Sequence, residues 1–388
     1  MFKIMKFKCN KNKLHEAITN VSRAVPAKSN IAALEGIKLS LSGDQLELIG
    51  YDLAFGIRTA LNVESEDSGE LVVNARLFSE TIRRMSSDEL IITVDEKLNV
   101  NISGGSAEYD ISAIPAVEYP DFPSIGAENS LSIPQYILRN MIEHTNHAVA
   151  VTDTKPILTG ELFDLEDNIF RMVAIDGFRM AIRTEHTPIS EKISFVVPSR
   201  TLNEISKLLA KGDASAEDEA SEQDPEKISK TELCQIYAGE KNITFEISGY
   251  YVVSRLLSGE FHNYKSSLPN EFKTEVIVKT REFADSIERC SLLINEKNKC
   301  PVRCIFEEGS VKTDCKTVIG KVNDVVPAEV NGEPVTIGLN NRYLLDALRA
   351  CESDKIKIQM TAPNRPVKIV PVAGDSFMYL LMPIQLRN

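Results

Sequence analysis

Residues able to do covalent chemistry are scarce in this chain of 388 residues, and they do not converge. The phosphate cradle Gly-x-x-x-x-Gly-Lys, the nucleophile turn Gly-x-Ser-x-Gly and the zinc helix His-Glu-x-x-His are all absent from the sequence. Five histidines are dispersed, and none pairs with a cysteine or serine in a recognisable arrangement. Asp176, in Ala174-Ile175-Asp176-Gly177-Phe178-Arg179, could serve as a catalytic carboxylate, but Asp-Gly at such a place reads first as a hairpin turn between two strands. Gly104-Gly105 is read as a turn for the same backbone reason. Cys300, Cys304 and Cys315 form the one thiol cluster. A zinc site wants tighter spacing and a fourth ligand, and no histidine lies near, so neither a metal nor a cofactor is expected.

The elements that position these residues are written six times. Segments beginning at Phe7, Leu71, Leu131, Phe195, Val276 and Ile337 align, at spacings of 64, 60, 64, 81 and 61 residues. Two places on stand Cys9, Val73, Ile133, Val197, Val278 and Leu339. Seven places on stand Leu14, Phe78, Leu138, Leu202, Phe283 and Leu344. Four further come Ile18, Ile82, Ile142, Ile287 and Leu348, with Ser206 breaking the column beside Ile205. Three further come Val21, Met85, Leu209, Cys290 and Cys351, with Thr145 as the exception. Alternation followed by a 4-then-3 spacing predicts a short strand running into an amphipathic helix. After the helices, runs such as Ile37-x-Leu39-x-Leu41 and Leu90-x-Ile92-x-Val94, punctuated by Ser42-Gly43-Asp44 and Ser103-Gly104-Gly105-Ser106, predict antiparallel hairpins. Each copy is thus a strand, a helix and about three strands.

Glu118-Tyr119-Pro120-Asp121-Phe122-Pro123 and Glu260-Phe261-His262-Asn263-Tyr264 look like one linker used twice, and are read as extended. They group the copies into three domains of two, at 1–127, 128–268 and 269–388. The long fourth interval contains a run, 213–226, with seven acidic residues and no basic ones. Such a run cannot order itself by burial, and is read as a solvated loop inserted at about 212–232, with an acidic partner site as the alternative. No apolar stretch suffices to span a membrane, and the start shows no signal-peptide run. An odd count of seven cysteines, several in core columns, favours reduced thiols and a cytoplasmic setting.

The net charge of −12 argues against nucleic acid, but it falls to −5 without the acidic run. Basic residues sit off the apolar stripe of each predicted helix, among them Arg76, Arg83, Arg84, Arg139, Arg200, Lys207, Arg281 and Arg342, with Arg23 just beyond the first. Acidic residues share these helices, so a mixed, solvated face with i,i+4 pairing competes with contact to DNA.

Arg23-Ala24-Val25-Pro26, Leu158-Thr159-Gly160, Val173 to Arg179, Leu202 to Leu209, Arg342 to Leu348 and the ending Tyr379 to Leu386 resemble the bacterial DNA polymerase III beta subunit, the sliding clamps. The resemblance runs through essentially the whole chain in order. It implies an α+β DNA clamp fold, three domains each internally duplicated, and a head-to-tail homodimer closed into a ring with helices inside and sheets outside. Twelve helices at about 8–10 Å spacing leave a hole of about 20–28 Å, wide enough for a duplex. The implied function is a processivity factor without catalytic activity. It encircles double-stranded DNA without sequence specificity and tethers the replicative polymerase. Implied partners are the catalytic subunit, the clamp loader and other proteins with a clamp-binding motif.

The resemblance further implies a pocket for partner peptides with apolar and glutamine anchors, between the middle and last domains. Carried over by position, it comprises Leu158, Ile175, Gly177, Phe178, Arg179, Met180, His262, Asn340, Tyr343, Pro366, Leu380, Met382, Pro383, Ile384 and Leu386. Phe178 stands where histidine is frequent in the family, and His262 where proline is frequent. DNA-facing roles are implied for Arg23, Arg76, Arg83, Arg84, Arg139, Lys155, Arg200, Lys207, Arg281 and Arg342. Ring-interface roles are implied for Tyr109, Leu292 and Leu293, with burial inside one domain as the competing reading. A scaffold of repeated domains without DNA, or an enzyme with a hidden polar cluster, are the other classes the residues leave open.

Overall fold

The computed structural model describes residues 3–65, 67–123, 129–152, 154–211, 232–269, 271–295 and 300–386. The acidic run 213–226 lies outside them. Each copy is one strand, one helix and three strands. The first is β1 (Lys3–Asn10), α1 (Lys11–Val21), β2 (Gly36–Ser42), β3 (Gln45–Tyr51) and β4 (Phe55–Asn62). The second is β5 (Ser68–Asn74), α2 (Ala75–Arg84), β6 (Glu89–Asp95), β7 (Asn99–Gly104) and β8 (Ala107–Pro115). The third is β9 (Asn129–Pro134), α3 (Gln135–Thr145), β10 (Gly160–Glu166), β11 (Ile169–Ile175) and β12 (Arg179–His186). The fourth is β13 (Ile193–Pro198), α4 (Ser199–Ser206), β14 (Leu233–Ala238), β15 (Asn242–Ile247) and β16 (Tyr250–Arg255). The fifth is β17 (Thr274–Lys279), α5 (Thr280–Ser291), β18 (Val302–Glu307), β19 (Ser310–Thr317) and β20 (Gly320–Gly332). The sixth is β21 (Val335–Leu339), α6 (Asn341–Ala350), β22 (Lys355–Met360), β23 (Val367–Pro371) and β24 (Phe377–Leu381).

The repeat columns are the core. Leu14, Phe78, Leu138, Leu202, Phe283 and Leu344 are all buried, as are Ile18, Ile82, Ile142, Ile287 and Leu348. Where Ser206 breaks the pattern, Ile205 is buried instead. Thr145 is buried too, and its hydroxyl donates to the Met141 carbonyl at 2.8 Å and is hydrogen-bonded to the Glu161 carboxyl, so the polar exception is satisfied. Strand turns into helix at an asparagine in three copies. Asn10 accepts from the Asn12 and Lys13 amides, Asn74 from Leu77 and Asn340 from Tyr343, each satisfying an orphan donor of the first turn.

The chain divides into two compact units, Met1–Leu138 with Glu204–Leu256, and Arg139–Asn203 with Leu257–Asn388. The first contains a 12-stranded sheet in the order β1-β6-β7-β8-β5-β2-β3-β4-β16-β15-β14-β9. The second contains another, β13-β10-β11-β12-β24-β23-β22-β17-β20-β19-β18-β21. Both show an exchange that the periodicity did not reveal. The leading strand of each copy pairs with the three-strand meander of its sister: β1 with β6, β5 with β2, β17 with β22, β21 with β18. In the third and fourth copies β9 pairs with β14, and β13 with β10. No copy therefore completes a sheet alone. The middle pair of copies contributes four strands to each compact unit, joined through β4–β16 in one and β12–β24 in the other. The helices α1 and α2 pack together over the first sheet, and α5 and α6 over the second.

Besides the end strands β1, β9, β13 and β21, two inner strands lack a strand partner along part of one side among the described residues. β8 meets β5 only through Ala113 to Pro115, and β20 meets β17 only through Ala328 to Gly332. The linkers are less extended than their proline content predicts. Residues 116–118 and 264–267 form 3-10 turns, followed or begun by a buried tyrosine that ties the linker to its sheet. Tyr119 donates to the Ile49 carbonyl at 3.3 Å, and Tyr264 to the Asp164 carboxylate at 2.5 Å.

Candidate functional site

Asp-Gly at 176–177 is a hairpin turn. Asp176 accepts from the Phe178 and Arg179 amides at 2.8 and 2.9 Å, and Gly177 takes φ +90°, where a side chain would be strained. The carboxylate is committed to holding the β11–β12 turn, which accounts for its position without catalysis. The turn in turn aims the side chains of Phe178 and Arg179.

Those two residues stand on the wall of a cavity of about 670 Å³ within the second unit. Leu158 enters from the 3-10 turn at 156–159, Ile175, Gly177, Phe178, Arg179 and Met180 from the β11–β12 turn, and His262 from the linker. Pro366 enters from the approach to β23, and Leu380 and Met382 from β24 and its exit. Ten of the fifteen residues carried over by position thus line one space. Lys155, Ile157, Glu260, Phe261, Asn263 and Ser267 complete the lining. Lys155, placed with the DNA-facing residues from sequence, therefore lies at this cavity. Its signal was its adjacency to the Pro156-Ile157-Leu158 run, and that of Glu260 to Asn263 was the linker motif itself.

Asn340, Tyr343, Pro383, Ile384 and Leu386 are not in the lining. Two of them support it. Tyr343 stacks under Phe178, with ring centroids 6.5 Å apart and planes at 27°, and Asn340 caps the helix that carries Tyr343. The Arg179 guanidinium lies 4.3 Å from the Tyr343 ring centre and pairs with Asp176 at 3.1 Å and Asp346 at 2.6 Å. Its side chain is only 7% exposed. A buried guanidinium is costly unless paired, and here two carboxylates and a ring face compensate it. Phe178 itself is 62% exposed, an apolar face at the cavity's edge. The lining is mixed: Ile157, Leu158, Ile175, Phe178, Met180, Phe261, Pro366, Leu380 and Met382 give apolar surface, and Lys155, Arg179, Glu260, His262, Asn263 and Ser267 give polar groups, a combination able to hold apolar anchors and orient them.

His147 and Glu161, in the same unit, are both shifted by burial. Burial, with the Arg179 charge as a smaller cause, pushes His147 down to about 4, so it is neutral at physiological pH. Burial pushes Glu161 up to about 8, against a smaller opposing effect of the Thr145 hydrogen bond.

The basic helix residues form a different kind of surface. Arg76, Arg200, Arg281 and Arg342 occupy the second position of α2, α4, α5 and α6, the same register in four copies, and all four are exposed. A cation at a helix N-terminus opposes the helix dipole, so helix stability does not account for this register. Arg76, Arg281 and Arg342 have no ion-pair partner among the described residues. Of the others, Arg83 and Arg84 share Glu80, Arg139 pairs with Glu143, and Arg23 and Lys207 share Glu204. These partly or fully exposed pairs contribute at most about 1 kcal/mol each.

Of the residues named for a ring interface, Tyr109 lies on the stretch of β8 that pairs with β7 alone and is 40% exposed. Leu292, just past α5, is 82% exposed, and Leu293 is half-buried. All seven cysteines are free thiols. No helix among the described residues is long and apolar enough to cross a membrane.

Six strand–helix–meander copies, exchanged in pairs, define a duplicated-domain clamp of the α+β class. Comparison with known proteins gives the family. Models of the N-terminal, central and C-terminal domains of the DNA polymerase III beta subunit match residues 5–123, 132–263 and 265–385. The beta sliding clamp of Bacillus subtilis (strain 168) is 30% identical over 394 residues, covering 98% of this chain and 100% of that protein. The beta sliding clamp of Synechococcus elongatus is 30% identical over 393 residues, covering 99% and 100%. The crystal structure of the Bacillus subtilis DNA polymerase sliding clamp superposes with a TM-score of 0.91 at 30% identity, covering 99% of this chain and 100% of that one. The chain belongs to the DNA polymerase III beta subunit family, the sliding clamps.

Proposed function

We propose that two copies of this chain close head to tail around duplex DNA and tether the replicative polymerase for processive synthesis. The observation that carries this reading is the sixfold architecture, matched end to end by the three domain models of the clamp family. The tether works by topology: the ring holds its substrate without making or breaking a bond, and needs no cofactor. Its place is the cytoplasm. Exposed arginines at one repeated register offer phosphate contacts that carry no base readout and weaken with salt. The unpaired edges of β8 and β20 are suited to join across copies, which would also remove an aggregation hazard. Tyr109, Leu292 and Leu293 lie near those edges and are assigned to the junction. The cavity takes the anchor peptide of the polymerase catalytic subunit, the clamp loader and other docking proteins.

Retention on DNA tests the proposal. Clamp loaded onto a nicked circular plasmid stays bound through gel filtration in 0.5 M salt, on the order of the concentrations that abolish simple phosphate binding. Linearising the plasmid releases it. Equal loss from circular and linear DNA would refute encirclement, and the scaffold reading would replace it.

A further inference from the structure

We propose that Gly338 is a positioning residue for the cavity: its missing side chain lets the C-terminal segment lie across β21 and hold Met382 in the wall. The inference rests on the cavity being the peptide site. Past β24 the chain is pinned twice. The Met382 amide donates to the Phe178 carbonyl at 2.8 Å, and two residues on the Ile384 amide donates to the Gly338 carbonyl at 2.8 Å. Gly338 and Ile384 form an isolated antiparallel bridge on the side of β21 opposite β18.

The first pin fixes Met382 against the same turn that presents Phe178. The second fixes the direction in which the chain leaves. A β-carbon built on Gly338 would lie 2.5 Å from the Ile384 carbonyl oxygen, 2.9 Å from Leu386 Cδ2 and 3.2 Å from Leu386 Cγ. The nearest of these atoms is backbone and cannot rotate away. Gly338 is not at positive φ, so its own backbone would accept any residue. The glycine is required by close approach alone. This also gives Ile384 and Leu386 a role, since neither lines the cavity yet both lie on Gly338. Without the second pin, Met382 hangs from one hydrogen bond in an exposed segment.

Gly338→Val is the direct test, read in the full-length protein by two measurements. Hydrogen–deuterium exchange over 378–386 reports the strap. Fluorescence anisotropy with a labelled synthetic peptide bearing glutamine, leucine and phenylalanine anchors reports the cavity. Exchange at 382–386 rises and peptide affinity falls at least tenfold, while the rest of the chain keeps its protection. Ile384→Pro removes the same hydrogen bond by deleting the donor and leaves Gly338 intact, so it carries the test if the valine variant does not fold. Faster exchange with unchanged affinity overturns the proposal, as does unchanged exchange. If the unmodified protein itself fails to bind the peptide, it is the cavity assignment that falls.

Discussion

The cavity and the helix faces are built on opposite principles. At the cavity, the turn that sets direction is held at several points: Asp176 grips two amides, Arg179 binds two carboxylates and a ring, and the Met382 amide is pinned to the Phe178 carbonyl. On the helices most of the arginines are exposed, and Arg83 and Arg84 share one glutamate at the surface. The difference matches what the proposed function asks of each surface. A pocket that selects one peptide from many gains from fixed geometry, because ordering it in advance removes that cost from binding. A surface over which DNA must move gains from contacts that are weak, interchangeable and rapidly remade.

The comparison is broken most sharply at Arg179. Arg179→Met leaves Asp176 and Asp346 without their cation and should cost about 3–5 kcal/mol of stability, measured by urea unfolding. A loss under about 1 kcal/mol would mean the network is not a rigid support. Next comes Glu161. Its carboxyl is neutral in the fold up to about pH 8 but ionises in the unfolded chain near the ordinary carboxylate value of 4.5. The unfolded state therefore binds fewer protons between these values, and stability declines as pH rises through that window. Glu161→Gln should remove the decline, gaining on the order of a few kcal/mol at pH 9 and nothing below about pH 4. His147 acts at the other end. It is held down to about 4, so its contribution is present above pH 6.5 and lost as pH falls toward 4. His147→Phe should flatten the acid limb of the stability curve.

Smaller effects separate binding from folding. Met382→Ala should weaken the anchor peptide about tenfold, with under about 1 kcal/mol lost from stability because the side chain is 46% exposed. Combined Arg76→Ala, Arg281→Ala and Arg342→Ala should leave melting within about 0.5 kcal/mol per site and lower the salt slope of DNA binding by about 1 for each phosphate no longer neutralised. An unchanged slope would remove these three from the DNA-facing set.

Much of the fold could be read from the chain because burial leaves few residue types to choose from. The columns through Leu14, Ile18 and Val21 and their counterparts describe one helix stripe, and the structure buries them. Which sheet each leading strand joins was not legible. β1 and β5 carry the same alternation, and nothing in that alternation states that each pairs with its sister's meander. Thr145 looked like a fault because its partner, Glu161, is distant in sequence. At the cavity, the family resemblance brought Leu158, Ile175 and Met382 together, and the structure adds Lys155, which the resemblance had given a DNA-facing role. Tyr343 and Ile384 were read as wall, but the structure sets them beneath it or behind it, where stacking and backbone hydrogen bonds replace contact with the space.

The strand exchange bears on how the protein comes off the ribosome. The first strand, Lys3–Asn10, pairs with Glu89–Asp95, and the fifth strand, Ser68–Asn74, closes the gap left in the first copy's meander. A nascent chain therefore carries an unpaired β1 edge until nearly a whole domain has been synthesised, and neither half can settle before the other arrives. Each domain is a two-part lock whose halves hold one another's keys. Nicked in the connection between β4 and β5, the first domain should yield fragments that stay unfolded apart and recover structure only when mixed.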